Sequence, residues 1–239
     1  MPNLHGTEFY ISKRVGKAIT DYGMIADGDK VAVAISGGKD SLTLLRVLQD
    51  RQAFVPINYE IIAVHIDLGY PKSCAKPLEK YFKKLGVRYH IEKVDTLIKG
   101  PKNKINCFWC SWNRRKALFQ VSDRLGCKKV ALGHHTDDIV ETVLMNLFFH
   151  GETSAMMPKQ ELFKGKINLI RPLAYVEERL IKRFVKDEKI QTFDCTCPNS
   201  ITSNRSRMTR IIRELEEFCP EVKKNIFNSV KRVKEDYLL

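Results

Sequence analysis

Apolar residues recur along this chain with two different periods. Val31-Ala-Val-Ala-Ile35 is a continuous, largely β-branched run, the mark of a strand buried on both faces. After it, Leu42, Leu45 and Val47-Leu48 fall on the inner side of a helix. Tyr59 to Asp67 reads as a second strand, stopped by Leu68-Gly69-Tyr70-Pro71. Leu78 to Leu85 predicts a helix, Arg88 to Val94 a third strand, and Ser111 to Leu125 another helix. Val130 to Gly133 is a short fourth strand, and Ile139, Val143, Leu144 and Leu147 mark the helix after it. The pattern loosens between Gly151 and Gly165, then Ile167 to Leu173 predicts a last strand and Glu177 to Asp187 a helix. Arg205 to Cys219 and Glu221 to Asp236 read as two terminal helices broken at Pro220. At the other end, Ile11, Val15, Ile19 and Met24 form the buried stripe of a helix over 9–24, with Lys13, Arg14 and Lys17 facing out.

Short strands alternating with helices predict an α/β fold: an open, mostly parallel sheet flanked by helices, with a C-terminal helical extension. The expected organisation is an N-terminal basic helix (1–27), a nucleotide-binding domain with an inserted Cys loop (28–175), and a C-terminal Cys loop with helices (176–239).

Composition narrows the function. The 239 residues are enough for one sizeable domain with additions. A net charge of +13 favours a polyanionic partner, with nucleic acid first, although a merely soluble basic surface has the same charge. No stretch is long and apolar enough to span a bilayer, so no membrane partner is expected. Met1-Pro-Asn-Leu-His-Gly6 has no signal-peptide pattern. A cytoplasmic location is the expectation. Seven cysteines, an odd number, point to metal or sulfur chemistry rather than a disulfide framework.

The sharpest local signal is Ser36-Gly37-Gly38-Lys39-Asp40-Ser41, between the first strand and its helix. Glycines let backbone N–H groups approach an anion, and the new helix adds its positive end. This is a phosphate cradle. It is not a Walker A loop, because the spaced first glycine is missing. An ordinary tight βα turn is the bland alternative. His65 and Asp67 end the second strand beside this loop, where open parallel sheets bind ligands. The Ala63–Asp67 segment is thus positioned to hold an adenine and ribose, although His65 alone equally fits a packed histidine. Gly133-His134-His135-Thr136-Asp137-Asp138 ends the fourth strand in the same way. Asp137 and Asp138 fit either helix caps or a site.

Cys107-Phe-Trp-Cys110 fits a redox pair, half a zinc site, or two ligands of an iron–sulfur cluster. Phe108, Trp109 and Trp112 are expected to form an apolar shell around it. Cys195 and Cys197 lie far along the chain, and Cys74, Cys127 and Cys219 read as buried structural thiols. Arg114 and Arg115 follow the Cys pair by one turn. Arg205, Arg207, Arg210 and Arg213 make a basic start to a terminal helix suited to RNA phosphates.

The Ser36–Ser41 loop resembles the pyrophosphate loop of the N-type ATP pyrophosphatases, S-G-G-x-D-S. Together with Cys107–Cys110, Gly133–Asp138 and Ile170-Arg-Pro-Leu173, it resembles the tRNA 2-thiocytidine synthetase (TtcA) family from about Gly16 to Leu215. The resemblance implies an adenine nucleotide alpha hydrolase-like (PP-loop) fold and an enzyme that splits ATP to AMP and pyrophosphate. It would adenylate the C2 oxygen of a pyrimidine in tRNA and replace that oxygen with sulfur. ATP and Mg²⁺ would be held by Ser36, Gly37, Gly38, Lys39, Asp40, Ser41, His65, Asp67, Gly133, His134 and Asp138. Asp40 would orient the metal or the reacting groups and Lys39 would offset phosphate charge, with Cys107 and Cys110 also catalytic. It further implies a [4Fe–4S] cluster on Cys107, Cys110 and a third cysteine, chosen as Cys197 with Cys195 the alternative. A sulfur donor, desulfurase-derived or sulfide, and a homodimer complete what the resemblance implies. The alternatives are another PP-loop enzyme of tRNA, 2-thiouridine-forming or lysidine-type, with a structural zinc, and a non-catalytic RNA-binding protein.

Overall fold

The computed structural model describes residues 6–69, 73–94, 107–193 and 204–237; the Cys107 and Phe108 side chains are not among the described parts. Strands β1 (Asp29–Ala34), β2 (Tyr59–Asp67), β3 (Tyr89–Lys93), β4 (Lys129–Ala131), β5 (Lys159–Leu162) and β6 (Ile167–Ile170) form one sheet. Its order is β3-β2-β1-β4-β6-β5. Every neighbouring pair is parallel except β5 with β6. The chain leaves β1 towards β2 and β3, then returns to the other side of β1 with β4. That reversal opens a crevice at the carboxyl ends of β1 and β4, where such sheets bind ligands.

Helices α1 (Gly6–Asp21), α2 (Lys39–Arg51), α3 (Ala75–Leu85), α4 (Cys107–Arg124), α5 (Thr136–His150), α6 (Glu178–Asp187), α7 (Asn204–Phe218) and α8 (Val222–Ser229) surround it. Strand alternation divides the core. Val31 and Val33 pack with Ile11, Val15, Leu42, Leu45 and Phe184 on one face. Ala32 packs with Val64, Val130, Leu118 and Val121 on the other. A third cluster joins Ile139, Val140 and Leu144 of α5 to Met208, Ile212 and Phe227 of the terminal helices. Among the described residues, no helix is long and apolar enough to cross a membrane.

The sequence-based elements need four corrections. The first helix starts at Gly6 and ends at Asp21, although Met24 is still buried. Cys107 and Cys110 stand on the first turn of α4, not in a loop, because nothing in Cys-Phe-Trp-Cys breaks a helix. β5 escapes the periodicity reading because Lys-Gln-Glu-Leu is polar and only its ends are half-buried. Such an edge strand pairs through its backbone and carries charge outward. The final helix stops at Ser229, and only a short 3₁₀ turn, Glu235–Tyr237, follows.

Candidate active site

The β1–α2 connection is held by its own serines. Ser41 Oγ donates to the Gly38 carbonyl at 3.0 Å and accepts from the Ser36 amide at 3.2 Å. Ser36 Oγ accepts from the Gly38 amide at 3.3 Å. Gly37 has φ +92°, and a Cβ there would lie 2.7 Å from the Phe193 carbonyl oxygen. Only glycine meets both demands. The Phe193 amide in turn donates to the Gly37 carbonyl at 2.9 Å. The stretch that approaches the C-terminal cysteines is therefore bonded to the phosphate-cradle loop.

Above the carboxyl ends of β1, β2 and β4 lies a cavity of about 720 Å³, a size suited to a nucleotide. Ser36, Gly38, Asp40 and Ser41 line it from the loop, His65 and Asp67 from β2, and Gly133, His134 and Asp138 from the end of β4. Ser111, Arg114, Arg115 and Leu118 close it from α4, at the i, i+3, i+4, i+7 spacing of one helical face. Lys39 does not line the cavity. Its ammonium bonds Asp40 Oδ2 at 3.1 Å and Glu178 Oε1 at 3.0 Å. Burial opposes its charge, but Asp40 and Glu178 outweigh burial and raise its pKa.

The two β2 residues differ in role. His65 is buried, and its Nδ1 lies 2.8 Å from the Ile35 carbonyl. Nδ1 therefore carries the proton, since a carbonyl only accepts. Burial pushes its pKa down, so the ring is neutral. Asp67 shapes the following turn, accepting from the Gly69 amide at 3.0 Å and the Ser73 hydroxyl at 2.8 Å. Cys74 lines the same wall, 3.9 Å from His65 Nε2. It is disulfide-bonded, which corrects its expected place among the structural thiols. Cys127 does match that expectation, with burial raising its pKa.

The Gly133–Asp138 turn brings several charges together. His134 is pushed down to about 4, chiefly by burial, and its Nδ1 accepts from Arg171 Nε at 3.3 Å. The neutral ring then keeps its proton on Nε2. Arg171, lowered by burial to about 10, also donates to the Met157 carbonyl. That explains the arginine of Ile170-Arg-Pro-Leu173, which braces the turn from beneath. His135 is buried among Asp40, Asp137 and Asp138, at 3.7, 3.6 and 3.4 Å. Burial opposes its charge, but the carboxylates prevail and raise its pKa.

Asp137 and Asp138 divide the remaining work. Asp137 accepts from the Glu178 amide at 2.7 Å and pairs with Lys223 at 2.9 Å, tying α6 and α8 to α5. Burial resists its ionisation, but His135, the Glu178 amide and Lys223 outweigh it and hold its pKa well below the usual range. Asp138 accepts from the His135 amide at 3.0 Å, faces the cavity and meets Arg205 at 2.9 Å. Arg205 also approaches Glu141 at 3.5 Å. Arg205 is thus engaged by Asp138 and Glu141, although partly exposed, and differs from the basic RNA face expected of it, whereas Arg207, Arg210 and Arg213 are exposed. Sequence periodicity had no means of finding the Arg205 and Lys223 pairings, since each spans most of the C-terminal region.

Cys110 is half-buried, packs against the core cluster under α4 and is not in a disulfide. The Cys107 side chain, Cys195 and Cys197 lie outside the described residues. Trp109 and Trp112 are 44% and 46% exposed, and Phe108, the third member of the expected apolar shell, has its side chain outside the described residues.

Comparison with known proteins agrees with this geometry. The family model described as the PP-loop domain matches residues 8–215. The tRNA-cytidine(32) 2-sulfurtransferase of Geobacter sulfurreducens is 40% identical over 235 residues, covering 96% of this chain and 91% of the relative. The enzyme of the same name from Polynucleobacter asymbioticus is 40% identical over 234 residues, covering 96% and 78%. Among solved structures, the U34-tRNA thiolase NcsA from Methanococcus maripaludis, with its [4Fe–4S] cluster, superposes with a TM-score of 0.78 at 26% identity. That match covers 96% of this chain and 80% of the thiolase. The NH3-dependent NAD synthetase of Campylobacter jejuni shares the fold alone, with a TM-score of 0.52 at 13% identity. With its serine-braced phosphate loop and the β4 turn facing it across one crevice, the chain belongs to the PP-loop family and, within it, to the tRNA-cytidine(32) 2-sulfurtransferases.

Proposed function

We propose that this chain uses ATP to replace the C2 oxygen of a tRNA cytidine, most simply one in the anticodon loop, with sulfur. One observation carries the reading. The phosphate-cradle loop, the His134–Asp138 turn and the arginine face of α4 all line one cavity, so a nucleotide and a second, anionic substrate can meet there. The 40% identical relatives named for cytidine 2-sulfurtransfer support the same substrate class.

In this reading the loop backbone at Gly38 and the α2 N-terminus, where Asp40 and Ser41 line the cavity, hold the phosphates. Arg114 and Arg115 offset charge as it develops. The C2 oxygen attacks the α-phosphorus and pyrophosphate leaves. Sulfide then adds at C2, and AMP departs with the oxygen. The atoms balance: the C2 carbonyl, ATP and hydrogen sulfide become the C2 thiocarbonyl, AMP and pyrophosphate. Adenylation is needed because a bare carbonyl oxygen is a poor leaving group.

Asp40 Oδ1 is a buried carboxylate oxygen without a hydrogen-bond partner among the described residues, which fits a hard cation such as Mg²⁺. No three metal-ligating side chains converge among the described residues. Mg²⁺ held by Asp40 would thus complete its shell from phosphates and water, as it commonly does. Cys110, a thiol on the first turn of α4 beside the cavity-lining Ser111, fits a cluster ligand. With Cys107 on the same first turn and Cys197, or Cys195 in its place, it would hold a [4Fe–4S] cluster, whose chemistry would be to bind and polarise the sulfur donor. The donor is sulfide, supplied directly or released from a desulfurase-derived persulfide by a thiol, which is oxidised to the disulfide in that step. The working compartment is the cytoplasm, and the working form a homodimer. Leu147, Phe148 and Phe149, exposed on α5, offer it apolar surface.

The test is mass spectrometry of tRNA nucleosides after incubation with ATP, Mg²⁺ and sulfide under anaerobic conditions. The expected result is ATP-dependent 2-thiocytidine with one pyrophosphate per thiolated base. Iron, not zinc, should accompany the anaerobically purified protein. A different thiolated base, or stoichiometric zinc without iron, would overturn the assignment.

A further inference from the structure

The N-terminal half of α4 carries two unlike surfaces. Ser111, Arg114, Arg115 and Leu118 face the cavity. Trp109, Trp112 and Lys116, at i, i+3 and i+7, lie roughly 140° round the same helix at about 100° per residue. The two indoles are 44% and 46% exposed. Their ring centroids are 5.4 Å apart with the planes at 54°, and Lys116 Nζ lies 5.2 Å from the Trp112 centroid. Tryptophan gains so much from burial that two on one exposed turn mark a contact surface rather than chance.

We infer that Trp109 and Trp112 form a stacking platform for an unpaired RNA base that neighbours the target nucleotide. Charge decides between an RNA and a protein occupant. Arg114, Arg115 and Lys116 are exposed, and none has a carboxylate partner among the described residues. Arg14, Lys39, Arg205 and Lys223 all have one. Arg114 and Arg115 on the cavity side and Lys116 over Trp112 put positive charge on both surfaces of the helix, which suits the phosphates and bases of a single strand running from one to the other. A self-association surface gains from apolar neighbours, and among the described residues Asn113, Lys116 and Gln120 lie one turn further along the same flank. The helix with its side chains is only about 10–12 Å across. A base stacked on its outer flank is therefore a near neighbour of one inserted into the cavity. This inference rests on the tRNA reading above and adds where the strand outside the cavity is gripped.

The chain has two tryptophans, so its indole emission reports this platform alone. The experiment titrates the anaerobically purified protein with a cytidine-containing anticodon stem-loop RNA. Binding is read by anisotropy of a label on the RNA, and emission is read separately. Emission should be quenched in step with binding. Trp112→Ala should weaken binding by about 5- to 150-fold, the range for losing one base stack, and Trp112→Phe should restore most of it. The loss should appear in KM for tRNA more than in kcat. RNA that binds with unchanged emission and equal affinity for Trp112→Ala would overturn the platform while leaving the tRNA reading intact. Absence of any RNA binding by the unmutated protein would overturn both. Emission that changes with protein concentration but not with RNA would assign the surface to self-association and overturn the inference.

Discussion

Gly133, at the end of β4, touches the backbone of Ser41 on the first turn of α2. A Cβ at residue 133 would lie 2.9 Å from the Ser41 nitrogen and 3.0 Å from the Asp40 carbonyl carbon. Backbone cannot swing aside as a side-chain tip does. Gly133→Ala must therefore push apart the two turns that line the cavity. Overpacking of this kind costs about 1–3 kcal/mol. We expect folded protein with a lowered Tm and at least about tenfold weaker ATP use, measured as pyrophosphate release. Unchanged KM for ATP would contradict the proposed cradle.

Asp40 should separate chemistry from stability. Its Oδ1 has no hydrogen bond among the described residues, and its Oδ2 meets the half-buried Lys39. Lys39 keeps Glu178 when Asp40 is removed. Asp40→Ala should leave Tm within a few degrees and lower kcat for thiolation by about 10²–10³, the scale of losing one preorganised electrostatic group. Chelation of Mg²⁺ should abolish turnover in the unmutated protein. An Asp40→Ala variant with full activity would refute the site.

Arg205 links the C-terminal extension to the cavity. Among the described residues, its removal leaves the buried Glu141 hydrogen-bonded to Thr209 alone, at 2.6 Å, and Asp138 without its 2.9 Å partner. The guanidinium is partly exposed, which limits the loss to about 1–2 kcal/mol, below that of a fully buried pair. Arg205→Ala should lower Tm and raise KM for ATP, and Arg205→Lys should recover part of both. Differential scanning calorimetry with nucleotide titration measures the two together.

The charges around His135 set a pH window for stability. The His135 pKa is raised in the folded state, so its contribution is complete below the unfolded value near 6.5 and fades as pH rises through the folded one. The Asp137 pKa is depressed, so its contribution is complete above the unfolded value near 3.9 and fades as pH falls through the folded one. These two contributions are jointly complete between about pH 4 and 6.5, where the depressed His134 and His65 work the other way and cost stability as pH falls below about 6.5. Tm should decline from pH 6 to 9, and His135→Gln should flatten that decline. Equal slopes for both proteins would exclude His135 as the titrating group.

Much of this was legible along the chain. The Val31–Ile35 run, the glycines after it and the Leu42–Leu48 helix specify a strand, an anion-binding turn and a helix through local periodicity and backbone freedom alone. The same holds for β2, β3 and β4. β5 was hidden because an edge strand of Lys-Gln-Glu-Leu has no apolar alternation. The start of α4 was hidden because Cys107-Phe-Trp-Cys110 suggests ligands before it suggests a helix.

Residue type and spacing along the chain decide which segments can bind an anion or accept a proton, and local pattern alone shows them. Tertiary structure decided how those groups are used. It turned Lys39 to Glu178, gave Asp137 to the C-terminal helices and left Asp138 facing the cavity. It also drew Arg205 inward and exposed Trp109 and Trp112. These assignments depend on distance and burial between elements far apart in the chain. Coulomb attraction and desolvation act through space, so no reading of local pattern contains them.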